Sequence, residues 1–115
     1  MLIDDDPIFR LLVKKAAETL GLSKSLVVCQ SLKQADECLQ NQQPNFWIVD
    51  VNLKDGFGPE WLLKQRQQGR LEPAQLISHS DLQDVDLDTL KPCVFRRKPA
   101  QWVDLCQWME SWYPI

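Results

Sequence analysis

Five short, mainly apolar runs alternate with amphipathic segments along the 115-residue chain. They lie at 1–3, 26–29, 46–49, 75–77 and 93–96. The run at 46–49 is apolar at every position, as expected of a strand that is covered on both faces. Strands that alternate with helices predict parallel β-α-β units with right-handed crossovers. The pattern therefore indicates one α/β domain, residues 1–115, with helices on both faces of a parallel sheet.

Capping residues mark where the first two helices begin. Asp6 is a predicted N-cap with Pro7 at the first helical position, and Gly21 is where this helix should end. Ser31 is the predicted cap of the second helix. The expected buried stripe of the first helix is Phe9, Leu12, Val13, Ala16 and Leu20. The expected stripe of the last helix is Trp102, Leu105, Cys106, Met109 and Trp112.

Polar residues close several of the apolar runs. They are Asp4 and Asp5 after the first run, Asp50 after the third, Ser78 after the fourth and Lys98 after the fifth. Parallel α/β sheets bind ligands outside the carboxyl ends of their strands, where the strand order reverses. These side chains are therefore the candidate functional residues, and we expect them to share one edge of the sheet.

Several carboxylates and one lysine at one edge suggest phosphoryl chemistry. Crowded carboxylates repel one another, so one of them is protonated or a cation bridges them. Mg²⁺ is the expected ion because it prefers carboxylate oxygens and retains several waters. One of the carboxylates can then attack phosphorus and form an acyl phosphate. A lysine supplies positive charge to the phosphoryl oxygens, and a serine hydroxyl donates a hydrogen bond.

The order and spacing of these residues resemble the CheY-like receiver domains of two-component response regulators. The matching elements are Asp4-Asp5, Asp50 after an apolar strand, Gly58, Ser78, and Lys98-Pro99. The resemblance covers essentially the whole chain. It implies a doubly wound, flavodoxin-like sheet of five parallel strands in the order 2-1-3-4-5.

The resemblance also implies a role for each site residue. Asp50 would be the phosphoacceptor, and Lys98 would contact both Asp50 and the phosphoryl group. Asp5, Asp50 and the backbone carbonyl of Asn52 would ligate Mg²⁺, with Asp4 acting through water. Ser78 would be the switch hydroxyl, and Phe95 the aromatic residue that turns inward when the hydroxyl moves toward the phosphate.

The chain departs from the family pattern at several positions. Lys54 stands where the family often has proline, which predicts a more mobile loop after Asp50. His79 follows the switch hydroxyl, where a small residue is usual, and could narrow access to the site. Arg96 and Arg97 make the fifth strand unusually polar. The acidic segment 81–90 predicts a short or irregular helix on the family's usual output surface.

Three functions compete on this evidence. The first is a receiver domain that takes a phosphoryl group from a histidine kinase or phosphotransfer protein and switches a protein-interaction surface. Such a domain is not an enzyme beyond Mg²⁺-dependent self-phosphorylation and autodephosphorylation. The second is a pseudo-receiver that acts as a phosphorylation-independent interaction domain. The third is an aspartate-nucleophile phosphatase, which Asp50-Val51-Asn52 disfavours because the second carboxylate that serves as acid and base is missing.

Composition narrows the expected partners. A net charge of −3 and a pI near 5.0 argue against non-specific nucleic-acid binding. No apolar run approaches the roughly 20 residues of a membrane span. Four cysteines without a C-x-x-C pair indicate a reducing, cytoplasmic setting. The expected partners are a kinase and a downstream protein or an output domain outside these residues.

Overall fold

The computed structural model describes residues 1–81 and 84–112 and contains one five-stranded parallel sheet. The described residues form seven strands: β1 (Leu2–Ile3), β2 (Val28–Cys29), β3 (Trp47–Asp50), β4 (Asn52–Leu53), β5 (Gly56–Phe57), β6 (Ala74–Ser78) and β7 (Cys93–Arg97). The main sheet has the order β2-β1-β3-β6-β7, and every neighbouring pair is parallel. Counted within this sheet, the order is 2-1-3-4-5, so the predicted topology is confirmed.

Helices cover both faces of the sheet, as predicted. They are α1 (Pro7–Leu20), α2 (Leu32–Leu39), α3 (Gly58–Gln67) and α4 (Trp102–Ser111). On one face, Leu32 of α2 and Leu62 of α3 pack into a cluster with Val49 of β3. On the other face, Val13 of α1 and Met109 of α4 pack into a second cluster with Ile48. The alternation of side chains along β3 therefore divides the core into two layers.

The predicted helix caps are present. The side chain of Asp6 accepts the N–H of Ile8 at 3.0 Å, and that of Ser31 accepts the N–H of Gln34 at 3.0 Å. Gly21 ends α1 with a φ of 73°, a left-handed conformation that glycine adopts without a Cβ penalty. The local sequence signals thus fix where α1 begins and ends and where α2 begins.

Two residues of the predicted helix stripes are exposed, and two others, Leu20 and Cys106, are half-buried. Leu12 of α1 is 40% exposed and Trp102 of α4 is 45% exposed. The buried residues of α4 are instead Leu105, Trp108 and Met109. Trp102 is the first residue of α4. The buried stripe of this helix begins at Leu105, about one turn later. The prediction that Leu12 and Trp102 are buried was wrong.

Two connections differ from simple loops. The segment after Asp50, predicted as a loop, contains the antiparallel hairpin β4–β5. In the connection from β6 to β7, the described residues form one 3₁₀ turn, Leu87–Leu90, and no α-helix. This agrees with the predicted short or irregular helix at 81–90, of which residues 82 and 83 lie outside the described part. Within the described residues, no helix is long and apolar enough to cross a membrane.

Candidate functional site

The predicted site residues meet at the carboxyl edge of the main sheet. Asp4 and Asp5 follow β1, Asp50 is the last residue of β3, and Lys98 directly follows β7. The main-chain N–H of Lys98 donates to the carbonyl of Ser78 at 2.8 Å, which continues the β6–β7 pairing to the edge. Because all five strands are parallel, their carboxyl ends lie at one edge and bring these side chains together.

A buried lysine joins two buried carboxylates at this edge. Lys98 Nζ lies 2.8 Å from Asp4 Oδ2 and 3.1 Å from Asp50 Oδ2. Asp4, Asp50 and Lys98 are 0%, 6% and 9% exposed. Removing charged groups from water is costly unless they are paired. The ammonium group of Lys98 therefore offsets the repulsion between the two carboxylates.

Burial and charge shift the pKa values of Asp50 and Lys98. Burial raises the pKa of Asp50 to about 6, and the charge of Asp4 acts in the same direction, against the opposing effect of Lys98. Burial lowers the pKa of Lys98, but its hydrogen bonds and charge interactions with Asp4 and Asp50 outweigh that effect and raise it. Lys98 is therefore positively charged at neutral pH, whereas Asp50 carries an ionised carboxylate that is poorly compensated.

Each carboxylate is oriented by a main-chain N–H group. Asp4 accepts from Asp6 at 2.8 Å, Asp5 from Lys54 at 2.8 Å, and Asp50 from Asn52 at 3.3 Å. Asp4, Asp5 and Asp50 each present a carboxylate oxygen within 4.8 Å of the others. Asp4 Oδ2 is buried and, among the described residues, has the ion pair to Lys98 but no well-aligned hydrogen bond. Three converging carboxylate groups fit a hard divalent cation such as Mg²⁺.

Close packing against the Asp50 backbone requires glycine at position 58, the first residue of α3. A Cβ at this position would lie 2.1 Å from the carbonyl oxygen of Asp50. The N–H of Gly58 also donates to the carbonyl of Val51 at 2.8 Å. The start of α3 therefore packs directly on the backbone that carries Asp50, and only glycine allows this approach.

Ser78 and Phe95 lie near the edge but are not part of the charged cluster. Ser78 is buried at the end of β6, and its hydroxyl oxygen accepts the N–H of Ser80 at 3.3 Å. Phe95 of β7 is half-buried and packs against the cluster on the α2–α3 face. Their switch roles, the carbonyl of Asn52 as a ligand, and the water-mediated role of Asp4 stay predictions.

Several contacts were not predicted from the sequence. Asp55 accepts the N–H groups of Leu32 and Lys33 at 3.1 and 3.0 Å and so ties the hairpin to α2. The His79 side chain is 72% exposed and lies 3.7 Å from Asp6 Oδ2. It therefore sits at the outer rim of the edge. No sequence signal indicated the first contact, because Asp55 is 23 and 22 residues away from Leu32 and Lys33.

Solved structures of the same architecture are numerous. A CheY-like response regulator receiver domain protein from Methanospirillum hungatei is 18% identical, with a TM-score of 0.75 over 96% of this chain and 88% of that chain. The chemotaxis protein CheY4 of Vibrio cholerae is 17% identical, with a TM-score of 0.78 over 96% of this chain and 93% of that chain.

A third similar structure carries ligands. The response regulator TrrA from Thermotoga maritima, solved in complex with Mg²⁺ and BeF, is 15% identical, with a TM-score of 0.76 over 97% of this chain and 96% of that chain. No protein-family model matches the sequence, and no curated protein matches it. The chain therefore has the fold of CheY-like receiver domains, and the resemblance inferred from its sequence motifs is confirmed at the level of the fold.

Proposed function

We propose that this chain is a receiver domain of a two-component phosphorelay and that Asp50 accepts the phosphoryl group. The observation that carries the proposal is the buried Lys98 ammonium group between Asp4 and Asp50, with Asp5 beside them. A structural ion pair would need one carboxylate, whereas this edge gathers three. Aspartate, lysine and a cation are the groups that phosphoryl transfer to a carboxylate requires.

The proposed step is an attack of the Asp50 carboxylate on phosphorus. A bond forms between a carboxylate oxygen and phosphorus, and the bond from phosphorus to the donor breaks. The donor is a phosphohistidine, whose imidazole leaves, or a small acyl phosphate, whose carboxylate leaves. Hydrolysis of the aspartyl phosphate later returns the Asp50 carboxylate and inorganic phosphate. The chain is therefore not an enzyme with an external substrate to turn over.

The surrounding residues orient the acceptor and neutralise charge. The N–H of Asn52 donates to Asp50 Oδ1 and thereby fixes the direction of the carboxylate. Lys98, already 3.1 Å from Asp50 Oδ2, supplies positive charge for the incoming phosphoryl oxygens. Asp5, Asp50 and the backbone carbonyl of Asn52 would hold Mg²⁺, with Asp4 acting through water. When bound, Mg²⁺ adds charge neutralisation on the phosphoryl oxygens.

The proposal extends to partners and location. The phosphodonor is a histidine kinase or a phosphotransfer protein, and the readout is a protein partner or an output domain outside these residues. Ser78 and Phe95 would transmit the change to the β6–β7 side of the domain. The protein acts in the cytoplasm, where kinases of this class present their phosphohistidine. The intact cluster gives no support to the pseudo-receiver alternative.

Intact-mass spectrometry with acetyl phosphate tests the acceptor function. We expect one phosphoryl adduct on the wild-type protein in the presence of Mg²⁺, and none after chelation with EDTA. Asp50→Asn should form no adduct under either condition. A wild-type protein that gains no phosphoryl group from acetyl phosphate or from any phosphohistidine donor would refute the proposal.

A further inference from the structure

The turn of the β4–β5 hairpin contacts the candidate metal site through a main-chain group. The N–H of Lys54, in the turn of the hairpin, donates to Asp5 Oδ2 at 2.8 Å. Asp5 is half-buried, and it also lines an open cavity of about 330 Å³ between α1, the start of α2 and the hairpin. A carboxylate without that hydrogen bond would have room to turn away from Asp4 and Asp50.

The other side of the hairpin is attached to α2. Asp55 accepts the N–H groups of Leu32 and Lys33, the first two residues of that helix. Ser31 accepts the next free N–H, that of Gln34, and the Gln34 side chain accepts the N–H of Gln30. The amide groups at the start of α2 are therefore satisfied jointly by its own cap and by the hairpin. This second attachment fixes the position of Lys54.

The residue type at position 54 affects the hydrogen bond to Asp5 only through the main-chain N–H, which every residue except proline has. A proline there, as is frequent in the family that the sequence resembles, has no N–H to donate. Proline would not meet a positive φ in this turn, because among the described non-glycine residues only Asp84 has one. Leu53, the preceding residue, is in a strand, which is the conformation favoured before proline. Lys54→Pro would therefore remove the donor while preserving the turn.

We propose that the Lys54 main-chain N–H is a positioning group for Asp5, held in place by the contact of Asp55 with α2. By holding Asp5 Oδ2, it restricts the rotation of a carboxylate that presents an oxygen within 4.8 Å of those of Asp4 and Asp50. The inference rests on the proposed function, since it assigns to Asp5 a role in holding Mg²⁺. It goes beyond that function because it makes the hairpin and α2 determinants of Mg²⁺ affinity.

Mg²⁺ titration by isothermal calorimetry tests the inference with a matched pair of variants. Lys54→Ala and Lys54→Pro both remove the lysine charge, but only alanine retains the N–H. We expect the alanine variant to bind Mg²⁺ like the wild type. The proline variant should bind about threefold to tenfold more weakly, the penalty for immobilising one additional side chain on binding.

Two outcomes would contradict the inference in different ways. Equal Mg²⁺ affinity of the alanine and proline variants would overturn the positioning role and leave the proposed function intact. A wild-type protein that does not bind millimolar Mg²⁺ would overturn the metal site of the proposed function, and the positioning role would fall with it.

Amide hydrogen exchange on the wild-type fold gives an independent test. The Lys54 amide should be protected in the wild type and should exchange at least about tenfold faster in Asp5→Ala, since its acceptor is then missing. The Val51 amide, which donates to Ile77 at 2.9 Å, serves as the control and should not change. An unprotected Lys54 amide in the wild type would overturn the inference even if the proline variant failed to fold.

Discussion

Asp4, Asp50 and Lys98 at the carboxyl edge of the sheet are buried and paired, whereas the charged side chains of the β6–β7 connection, described at residues 79–81 and 84–92, lie in water. Lys98 and its two carboxylate partners are nearly inaccessible. By contrast, Lys91 and Asp88 form an ion pair at 3.0 Å with side chains that are 72% and 81% exposed. The first arrangement costs desolvation energy that packing alone would not require, and this points to a chemical role. The second contributes little to stability and constrains nothing.

The two regions also differ in how their backbones are held. Asp50 lies in a strand between two parallel neighbours and beneath the start of α3. In the β6–β7 connection, Arg66 of α3 donates to the carbonyls of Leu90 at 2.9 Å and Pro92 at 2.8 Å. One long side chain therefore secures much of that connection to the domain. In this fold, the residues of the candidate site can therefore be held firmly even though the neighbouring β6–β7 connection forms only one 3₁₀ turn among its described residues.

The largest expected effect separates two adjacent residues: Lys98 in the buried cluster, and Arg97, whose ion-pair partner Asp81 lies in the β6–β7 connection. Lys98→Met should reduce the free energy of unfolding by about 3–5 kcal/mol, because Asp4 and Asp50 are then buried without a counter-charge. Arg97→Met, next to it in sequence, should cost less than about 1 kcal/mol, since its ion pair with Asp81 is exposed. Urea unfolding at pH 7 measures both. Similar losses for the two variants would remove the distinction between the regions.

Alanine substitutions at two glycines compare a crowded position, Gly58 against the Asp50 backbone, with an uncrowded one, Gly69 after α3. Gly58→Ala should destabilise the protein by about 3 kcal/mol, because its Cβ would collide with the Asp50 carbonyl and cannot be accommodated by side-chain movement. Gly69→Ala meets no atom within 4 Å but must adopt a φ of 87°, which costs about 1–2 kcal/mol. Thermal and urea unfolding of both variants give the comparison. Gly58→Ala with wild-type stability would show that α3 does not restrain Asp50.

The pH dependence of stability tests the electrostatics of the edge. The pKa of Asp50 is raised from 3.8 to about 6, so the native state binds this proton more tightly than the unfolded chain does. The associated stability is full below about pH 4 and is lost as the pH rises through 6. Asp50→Asn, which cannot ionise, should therefore be more stable than the wild type at pH 7 by up to about 3 kcal/mol.

The Asp50→Asn difference should shrink as the pH falls from 7 toward 4, because the native carboxyl is protonated below its pKa of about 6, whereas the unfolded one is protonated only below 3.8. Urea unfolding between pH 4 and pH 8, with EDTA present, measures it. An Asp50→Asn variant that is less stable than the wild type at pH 7 would contradict the assigned burial and repulsion.

A smaller effect on stability is expected from a substitution that loosens the β6–β7 connection. Arg66→Met should cost about 2 kcal/mol, because hydrogen bonds from a charged donor to buried carbonyls are lost while the apolar stem is kept. Amides of the β6–β7 connection should exchange faster, whereas those of β3 should not change relative to the global stability. Mg²⁺ affinity should stay at the wild-type value. A parallel loss of Mg²⁺ affinity would mean that the two regions are not independent.

Much of the fold follows from local signals in the sequence. Apolar runs bounded by caps define the strands and helices, and parallel strand ends bring Asp4, Asp50 and Lys98 together without further information. The stripe of α4 was misplaced by one turn at Trp102, because hydrophobicity alone does not tell a buried tryptophan from an exposed one. Trp108, which the predicted stripe did not include, is buried.

The contacts that the sequence could not predict depend on the backbone or on distant partners. The sequence does not show which main-chain N–H groups donate to side chains. Asp5, which accepts the N–H of Lys54, is 49 residues away in sequence. Arg66 looked like an ordinary helix residue, yet its guanidinium group reaches carbonyls of another connection. Such contacts need the packed fold, because only tertiary structure determines which donors face which acceptors.

Localisation of the phosphoryl group tests the central claim most directly. Wild-type protein would be phosphorylated with acetyl phosphate and Mg²⁺, reduced with borohydride to convert an aspartyl phosphate to homoserine, digested, and sequenced by tandem mass spectrometry. The account predicts homoserine at position 50 alone, and none when EDTA is present. Homoserine at Asp4 or Asp5, or a phosphoryl group on Ser78 or His79 with Asp50 unmodified, would contradict it.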